Sequence, residues 1–278
     1  MKNLIVRTVS GIVFIATIII PLFYAETWFV MILGVYALLA NAEYIRLINV
    51  AGNKAGVLFS VGLATVLFAL FVLSYFGMIG YSLLWSLIPL VVLMPVVISF
   101  FTSLPGRFGN AILVATGLLL TVVPLGLLTT ALNWYASFDT TTIKILVLAL
   151  FVITWTHDVF AYLTGIVIGK HPLAKYISPA KTVEGSVGGV VFAFIGAALF
   201  YAITQTMSPL YWIGVALIVA VAGTAGDLMQ SVLKRRAGVK DSGNIMPGHG
   251  GIYDRFDALF IIIPFWFCWL LIFSFILN

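Results

Sequence analysis

Long apolar runs are the feature that most constrains how this chain can fold. Charged residues make up only 8% of its 278 residues, whereas soluble domains are about 25% charged. A helix needs about 20 mostly apolar residues to cross the hydrocarbon core of a bilayer, and long runs without strict alternation favour helices over barrel strands. The sequence therefore predicts an all-α polytopic membrane protein with about nine transmembrane helices, at residues 8–24, 27–48, 56–76, 81–101, 108–133, 142–169, 186–205, 209–233 and 253–276.

The basic residues predict the orientation of these spans. Loops on the cytoplasmic side of a membrane carry an excess of Lys and Arg. With a cytoplasmic N-terminus, thirteen of the fourteen basic residues lie on the cytoplasmic side and only Lys144 lies outside. We therefore expect a cytoplasmic N-terminus, an outside C-terminus and a first span that is retained rather than cleaved. The net charge of +5 would then face the cytoplasm, where it would attract anionic lipid headgroups or nucleotide phosphates.

The acidic residues and histidines are concentrated in the second half of the chain. Six of the nine acidic residues and all three histidines lie between residues 157 and 257. We therefore predict an N-terminal scaffold half of about five helices, residues 1–140, and a C-terminal catalytic half of about four helices, residues 141–278. No internal repeat relates the two halves.

Asp227 is the first candidate for a functional residue. It lies in the predicted span 209–233, about 10 Å before the expected helix end at Lys234–Arg236. A carboxylate within a span costs about 2.5–3.5 kcal/mol or more, so it is expected to face a polar cavity or a partner. The alternative interpretation is a structural ion pair with an Arg or Lys on the same face.

Asp254 and Asp257 form a second candidate, at the start of the last predicted span. On a helix these two residues would share a face, and Arg255 would point about 100° away from Asp254. Two neighbouring carboxylates suit a hard cation such as Mg²⁺, which also keeps substrate phosphates in its shell, and Arg255 suits a phosphate oxygen. The alternative is that both acids merely complement the dipole at a helix N-terminus.

Two loops add candidate phosphate ligands. The stretch KRRAGVKDSGNIMPGHGG combines five glycines with four cations, so its backbone N–H groups could approach an anion closely. His249 in this loop could bind a phosphate, transfer a proton or simply bond to the backbone. In SPAKTVEG, Lys181 is a phosphate candidate, whereas Ser178 or Thr182 could instead cap the following helix. Asp158, within the sixth span, is expected to line the polar cavity.

The stretch Ser231–Asp257, SVLKRRAGVKDSGNIMPGHGGIYDRFD, carries polar residues at spacings that belong to a known pattern. It resembles the signature of the phosphatidate cytidylyltransferases, the CDP-diacylglycerol synthases. Upstream, SPAKTVEG is similar to the family's Ser-Pro-Lys-Lys-Thr-x-Glu-Gly, with Ala180 in place of the first Lys. The matching signature positions are Ser231, Lys234–Arg235, Lys240–Asp241, His249–Gly251, Asp254–Arg255 and Asp257.

The resemblance implies an enzyme that transfers the cytidylyl group of CTP to phosphatidic acid, with Mg²⁺ as the cation, Mn²⁺ as its alternative and room for a second cation. It implies a bacterial inner membrane location, an active site open to the cytoplasm, and no nucleic-acid partner. Small-residue faces would permit a homodimer without requiring one. The catalytic candidates are Asp227, Asp254, Lys234 and Arg255, and the metal candidates are Asp227, Asp254 and Asp257. The phosphate-binding candidates are Ser178, Lys181, Ser231, Arg235, Lys240, His249, Gly250 and Gly251.

Two other functions remain open from the residues alone. A CTP-dependent lipid kinase would transfer the γ-phosphoryl group to a lipid alcohol, and its products separate it from a cytidylyltransferase. An ion-coupled transporter would use Asp158, Asp227 and Asp254 to bind ions. Inverted repeats are typical of such transporters, and the sequence shows none.

Overall fold

The computed structural model describes residues 2–48, 54–101, 107–133 and 138–277. Eight helical segments in this part of the chain are long and apolar enough to cross a membrane, and a ninth apolar helix, Leu259–Phe275, is shorter. The predicted all-α polytopic membrane fold is therefore confirmed. The helices are α1 Lys2–Tyr24, α2 Glu26–Leu47, α3 Lys54–Tyr75, α4 Tyr81–Ser99, α5 Arg107–Gly117, α6 Val123–Leu132, α7 Thr140–Ile168, α8 Val183–Thr204, α9 Pro209–Ile218, α10 Thr224–Arg236 and α11 Leu259–Leu277.

Two of the spans are each built from two helices joined by a π-helical turn. The turn Leu118–Val122 connects α5 to α6, and the turn Val219–Gly223 connects α9 to α10. Such turns occur inside helices and often near functional sites. The combined segments Phe108–Leu132 and Pro209–Arg236 match the predicted spans 108–133 and 209–233.

The predicted start of the last span is wrong. Residues Tyr253–Arg255 form a single 3₁₀ turn, and α11 begins only at Leu259. Asp254 and Asp257 therefore do not share the face of a helix, as the sequence had indicated. The reason is local, because the backbone N–H groups of residues 251–253 are bound by carboxylate side chains before the helix begins.

The described chain divides into two compact units. The first unit contains α1 to α6 together with the segment Arg236–Phe256, and the second contains α7 to α10 together with the chain from Asp257 onward. The predicted functional division at residue 140 stays a prediction. The segment Arg236–Phe256, called the signature loop below, thus folds with the N-terminal helices.

Aromatic packing and a buried polar cluster hold the first unit together. The rings of Phe14, Tyr36 and Phe256 form a cluster with centroids 5.5–5.7 Å apart. This cluster joins α1 and α2 to the end of the signature loop. Elsewhere, the Ser60 hydroxyl donates to the buried Asn41 side chain at 2.8 Å.

The second unit is organised around the close pair α7 and α8. Between them lies a short antiparallel hairpin, Pro172–Ala174 with Ser178–Thr182. The Thr182 side chain caps α8 by accepting a hydrogen bond from the Gly185 N–H at 3.1 Å, as the sequence had offered as one alternative. Gly188 and Gly189 lie directly against Thr164 and His157 of α7. The absence of side chains on these glycines lets α7 and α8 approach each other closely.

Candidate functional site

Two glycines give the signature loop its shape. Gly248 and Gly250 adopt positive φ angles of 73° and 87°, a region that side-chain-bearing residues rarely occupy. The N–H groups of His249 and Gly250 both donate to the carbonyl of Met246, at 2.9 and 3.1 Å. The loop therefore doubles back on itself and carries His249 at the tip of a tight turn.

Two buried carboxylates hold the two ends of this loop together. Asp254 is only 6% exposed, and its Oδ2 accepts hydrogen bonds from the N–H and hydroxyl of Ser242, at 2.7 and 2.9 Å, and from the Gly251 N–H at 3.0 Å. Glu43 of α2 is 1% exposed and accepts from the N–H groups of Ile252 and Tyr253, at 3.2 and 2.8 Å. Bonds of this charge-assisted kind are about twice as strong as neutral ones.

The signature loop and α1 enclose a cationic pocket of about 590 Å³. Arg255 is one of the residues that line this pocket. Its Nε is buried and has no hydrogen-bond partner within the described residues. A buried donor without an acceptor costs about 1–3 kcal/mol. The charged and titratable residues of the pocket are Arg7, Lys240, Asp241, His249 and Arg255.

His249 links the pocket to α1. Its Nδ1 lies 2.6 Å from the hydroxyl oxygen of Ser10. Burial and the positive charges of Arg255 and Arg7 lower the pKa of His249 below its ordinary value of 6.5. The imidazole is therefore neutral at neutral pH, and the positive charge of the pocket comes from the arginines and Lys240.

In the second unit, the carboxylate of Asp227 pairs with the ammonium group of Lys181. The two residues come from α10 and from the hairpin strand Ser178–Thr182. An ion pair was the alternative that the sequence left open for Asp227, although the partner comes from the hairpin and not from the same helix face. Both side chains keep partial exposure, 26% for Lys181 and 37% for Asp227.

Asp257 lies near the carboxylates of Asp227 and Asp158. Its burial, together with the charges of Asp227 and Asp158, raises the pKa of Asp257 to about 7. The Asp158 carboxylate also lies 3.0 Å from Nδ1 of the buried His157. The negative charges of Asp227 and Asp158 therefore act on Asp257, and a cation bound beside it would favour its ionised form.

The predicted site residues are thus distributed over two groups. The signature loop brings together Lys240, His249, Gly250, Gly251, Asp254 and Arg255, and the second unit contains Ser178, Lys181, Asp227, Ser231, Lys234, Arg235 and Asp257. Ser231, Lys234 and Arg235 lie on α10, and Ser178 lies at the start of the second hairpin strand.

Sequence reasoning missed three residues of the first unit. Glu43 was assigned to the scaffold, although the rule that a carboxylate within a span needs a purpose applies to it as well as to Asp227. Arg7 was read only as a topology signal, and Ser10 was not singled out. The roles of Arg7 and Ser10 follow from the contact of α1 with a loop more than 200 residues later, as in the bond from Ser10 to Pro247.

Comparison with known proteins shows which family and which relatives the chain resembles. Residues 5–273 match a family described as the cytidylyltransferase family. The chain is 47% identical to a phosphatidate cytidylyltransferase of Bacillus subtilis (strain 168) over 124 residues, which is 44% of this chain and 46% of that protein. It is 46% identical to the phosphatidate cytidylyltransferase of Staphylococcus aureus (strain COL) over 119 residues, 42% of this chain and 46% of the relative. The chain therefore spans about half the length of the curated relatives it matches.

Proposed function

The chain belongs to the cytidylyltransferase family, and we propose that it transfers the cytidylyl group of CTP to phosphatidic acid, giving CDP-diacylglycerol and pyrophosphate. The relatives named phosphatidate cytidylyltransferase support the substrates. The observation that carries the proposal is the cationic pocket of the signature loop, which Arg7, Lys240 and Arg255 line.

In this reaction the main tasks of the protein are to neutralise the negative charge of the phosphates and to position the two reactants. An oxygen of the lipid phosphate bonds to the α-phosphorus of CTP, the bond from that phosphorus to the oxygen bridging to the β-phosphorus breaks, and pyrophosphate leaves. Both reactants are anionic, so fixed cations that face the phosphates lower the barrier. We assign Arg255 and Lys240 to this role. Further phosphate contacts are proposed for Ser178, Lys181, Ser231, Lys234, Arg235, His249, Gly250 and Gly251.

We propose that a Mg²⁺ ion, which the family resemblance implies, binds beside the aspartates of the second unit. Within the described residues no three acidic, His or Cys side chains form a ready-made metal site, but Asp227 and Asp158 lie near enough to Asp257 to raise its pKa. Carboxylate oxygens are the ligands that Mg²⁺ prefers, so Asp227 and Asp257 would hold the ion. When bound, Mg²⁺ would offset phosphate charge. Asp254, proposed as a further ligand, uses one carboxylate oxygen to shape its loop.

Asp→Asn variants test the metal assignment. Asp227→Asn, Asp257→Asn and Asp254→Asn are each expected to lower turnover by at least about a hundredfold, the scale of losing one electrostatic stabiliser. Binding of Mn²⁺, followed by paramagnetic resonance on the purified protein, should weaken in parallel. Asp139→Asn, which changes a carboxylate at the N-terminus of α7, is the matched control. Full activity in both Asp227→Asn and Asp254→Asn would refute the metal proposal.

The overall reaction is tested with CTP labelled in either of two positions. With the α-phosphate labelled and phosphatidic acid present, the label should enter the lipid fraction in a metal-dependent way. With the γ-phosphate labelled, the label should appear in pyrophosphate. Label from the γ-phosphate in a lipid would instead establish a CTP-dependent lipid kinase, and no covalent product with either label would favour the transporter.

A further inference from the structure

An apolar groove lies beside the cationic pocket. It has a volume of about 450 Å³ and is lined by one side of α1, by Tyr36 of α2 and by the signature loop. Met246 and Pro247 line both the groove and the cationic pocket. The cationic pocket and the groove are therefore neighbours at the tip of the signature loop.

Helix α1 presents different residues to the two cavities. Val6, Val9 and Val13 follow the spacing of one helical face and line the groove, whereas Arg7 lines the cationic pocket. The helix is fastened at this point, because the Ser10 hydroxyl lies 3.0 Å from the Pro247 carbonyl and 2.6 Å from His249 Nδ1. Residues 6–14 of α1 thus form part of the walls of both cavities.

The groove is open along α1. Val6, Val9 and Val13 keep 44%, 54% and 56% of their surface exposed. Only 17% of the most apolar stretch of the span Val6–Tyr24 is buried within the protein. Since this helix is long and apolar enough to cross a membrane, the groove is expected to open towards lipid tails.

We propose that these two cavities form the binding site of the lipid substrate, with its phosphate beside Arg7 and one acyl chain along Val6, Val9 and Val13. The inference rests on the proposed function and adds the place and the orientation of the lipid. The charges are complementary, because a phosphate monoester is anionic and Arg7 can bind two of its oxygens. The apolar groove matches the acyl chain, and it lies next to the cationic pocket, as the acyl chain and the phosphate of one lipid molecule require.

The KM values of an Arg7 variant test the proposed position of the lipid phosphate. Arg7→Gln should raise KM for phosphatidic acid about tenfold or more, which is the scale of one hydrogen bond to a charged group, and should leave KM for CTP unchanged. Arg46→Gln, at an exposed position in the last turn of α2, is the matched control and should change neither constant. A rise in KM for CTP instead would assign the pocket to the nucleotide and overturn the proposal.

Crosslinking tests the apolar end without requiring turnover. A phosphatidic acid with a diazirine in its acyl chain is expected to label the α1 segment Val6–Phe14, and unlabelled phosphatidic acid should compete where phosphatidylcholine does not. Val9→Trp fills the groove and should remove the label, whereas Ile12→Trp, at an exposed position of the same helix outside the groove, should retain it. Labelling elsewhere, or equal labelling of the two variants, would overturn the proposal. Failure of the proposed function would be detected separately, because the wild-type protein would then form no CDP-lipid from CTP and phosphatidic acid.

Discussion

Glu43 connects two parts of the chain that are 199 to 210 residues apart. Its carboxylate accepts hydrogen bonds from Ser242, Ile252 and Tyr253, and these bonds determine where the signature loop meets α2. The hydroxyl of Ser242 lies between Glu43 and Asp254, at 3.0 and 2.9 Å. A hydroxyl carries one hydrogen, so Ser242 donates to one carboxylate at a time and couples the positions of both.

Removing the Glu43 carboxylate should destabilise the protein. In Glu43→Ala the buried N–H groups of Ile252 and Tyr253 lose their acceptor, and each such loss costs about 1–3 kcal/mol. The expected result is a lower midpoint of thermal unfolding in detergent, with Glu43→Gln intermediate because it keeps one acceptor oxygen. Asp241→Ala, at an exposed position of the same loop, should shift the free energy of unfolding by no more than about 0.5 kcal/mol. Equal midpoints for Glu43→Ala and the wild type would contradict this role.

His249 should make stability depend on pH. Its pKa in the folded state is lowered below 6.5 by burial and by Arg255 and Arg7, so between the folded pKa and 6.5 the unfolded chain binds more protons than the folded one. Stability from this group is therefore complete above pH 6.5 and is lost as the pH falls through the folded pKa. Unfolding midpoints at pH 5.5 and 7.5 should differ less in His249→Gln than in the wild type. The same difference in both proteins would show that His249 does not contribute.

At the scale of helices, the apolar runs determined most of what could be predicted. Runs of about 20 apolar residues predict spans because a bilayer offers no hydrogen-bond partners to an irregular backbone. The hairpin Pro172–Ala174 with Ser178–Thr182 and the late start of α11 escaped prediction for different reasons. The late start of α11 depends on Glu43, about 210 residues away, which no local pattern contains. The hairpin consists of two strands of three and five residues, too short for an alternating pattern to stand out.

The contact between α7 and α8 gives a prediction at this scale. A Cβ at Gly188 would overlap the side chain of Thr164, whereas a Cβ at Gly196 would lie at an ordinary 3.6 Å from Ile153. Gly188→Ala should therefore lower the free energy of unfolding by about 1–3 kcal/mol, the usual cost of overpacking. Gly196→Ala, in the same helix, should be tolerated. Thermal unfolding of both variants in detergent measures the difference, and equal stability would mean that α7 and α8 can separate without cost.

At the scale of the whole molecule, the predicted orientation can be measured. The chain contains one cysteine, Cys268, so a Cys268→Ser background allows single cysteines to be introduced. A membrane-impermeant maleimide added outside intact cells should label Met78→Cys and should not label Ala237→Cys, because the positive-inside rule places residue 237 in the cytoplasm. Both positions are exposed. Labelling of Ala237→Cys alone would reverse the assigned orientation.

The bonds between α2 and the signature loop also limit how such genes can be recombined. A chimera could join the first 133 residues of this chain to the later part of a relative. Glu43 would then face the relative's signature loop, which evolved in contact with the relative's own α2. If the signature loop Arg236–Phe256 is exchanged together with the first 133 residues, the N–H donors of the loop and their acceptor Glu43 come from one parent. Libraries of hybrids should accordingly yield more folded proteins when crossovers keep α2 and this loop from the same ancestor.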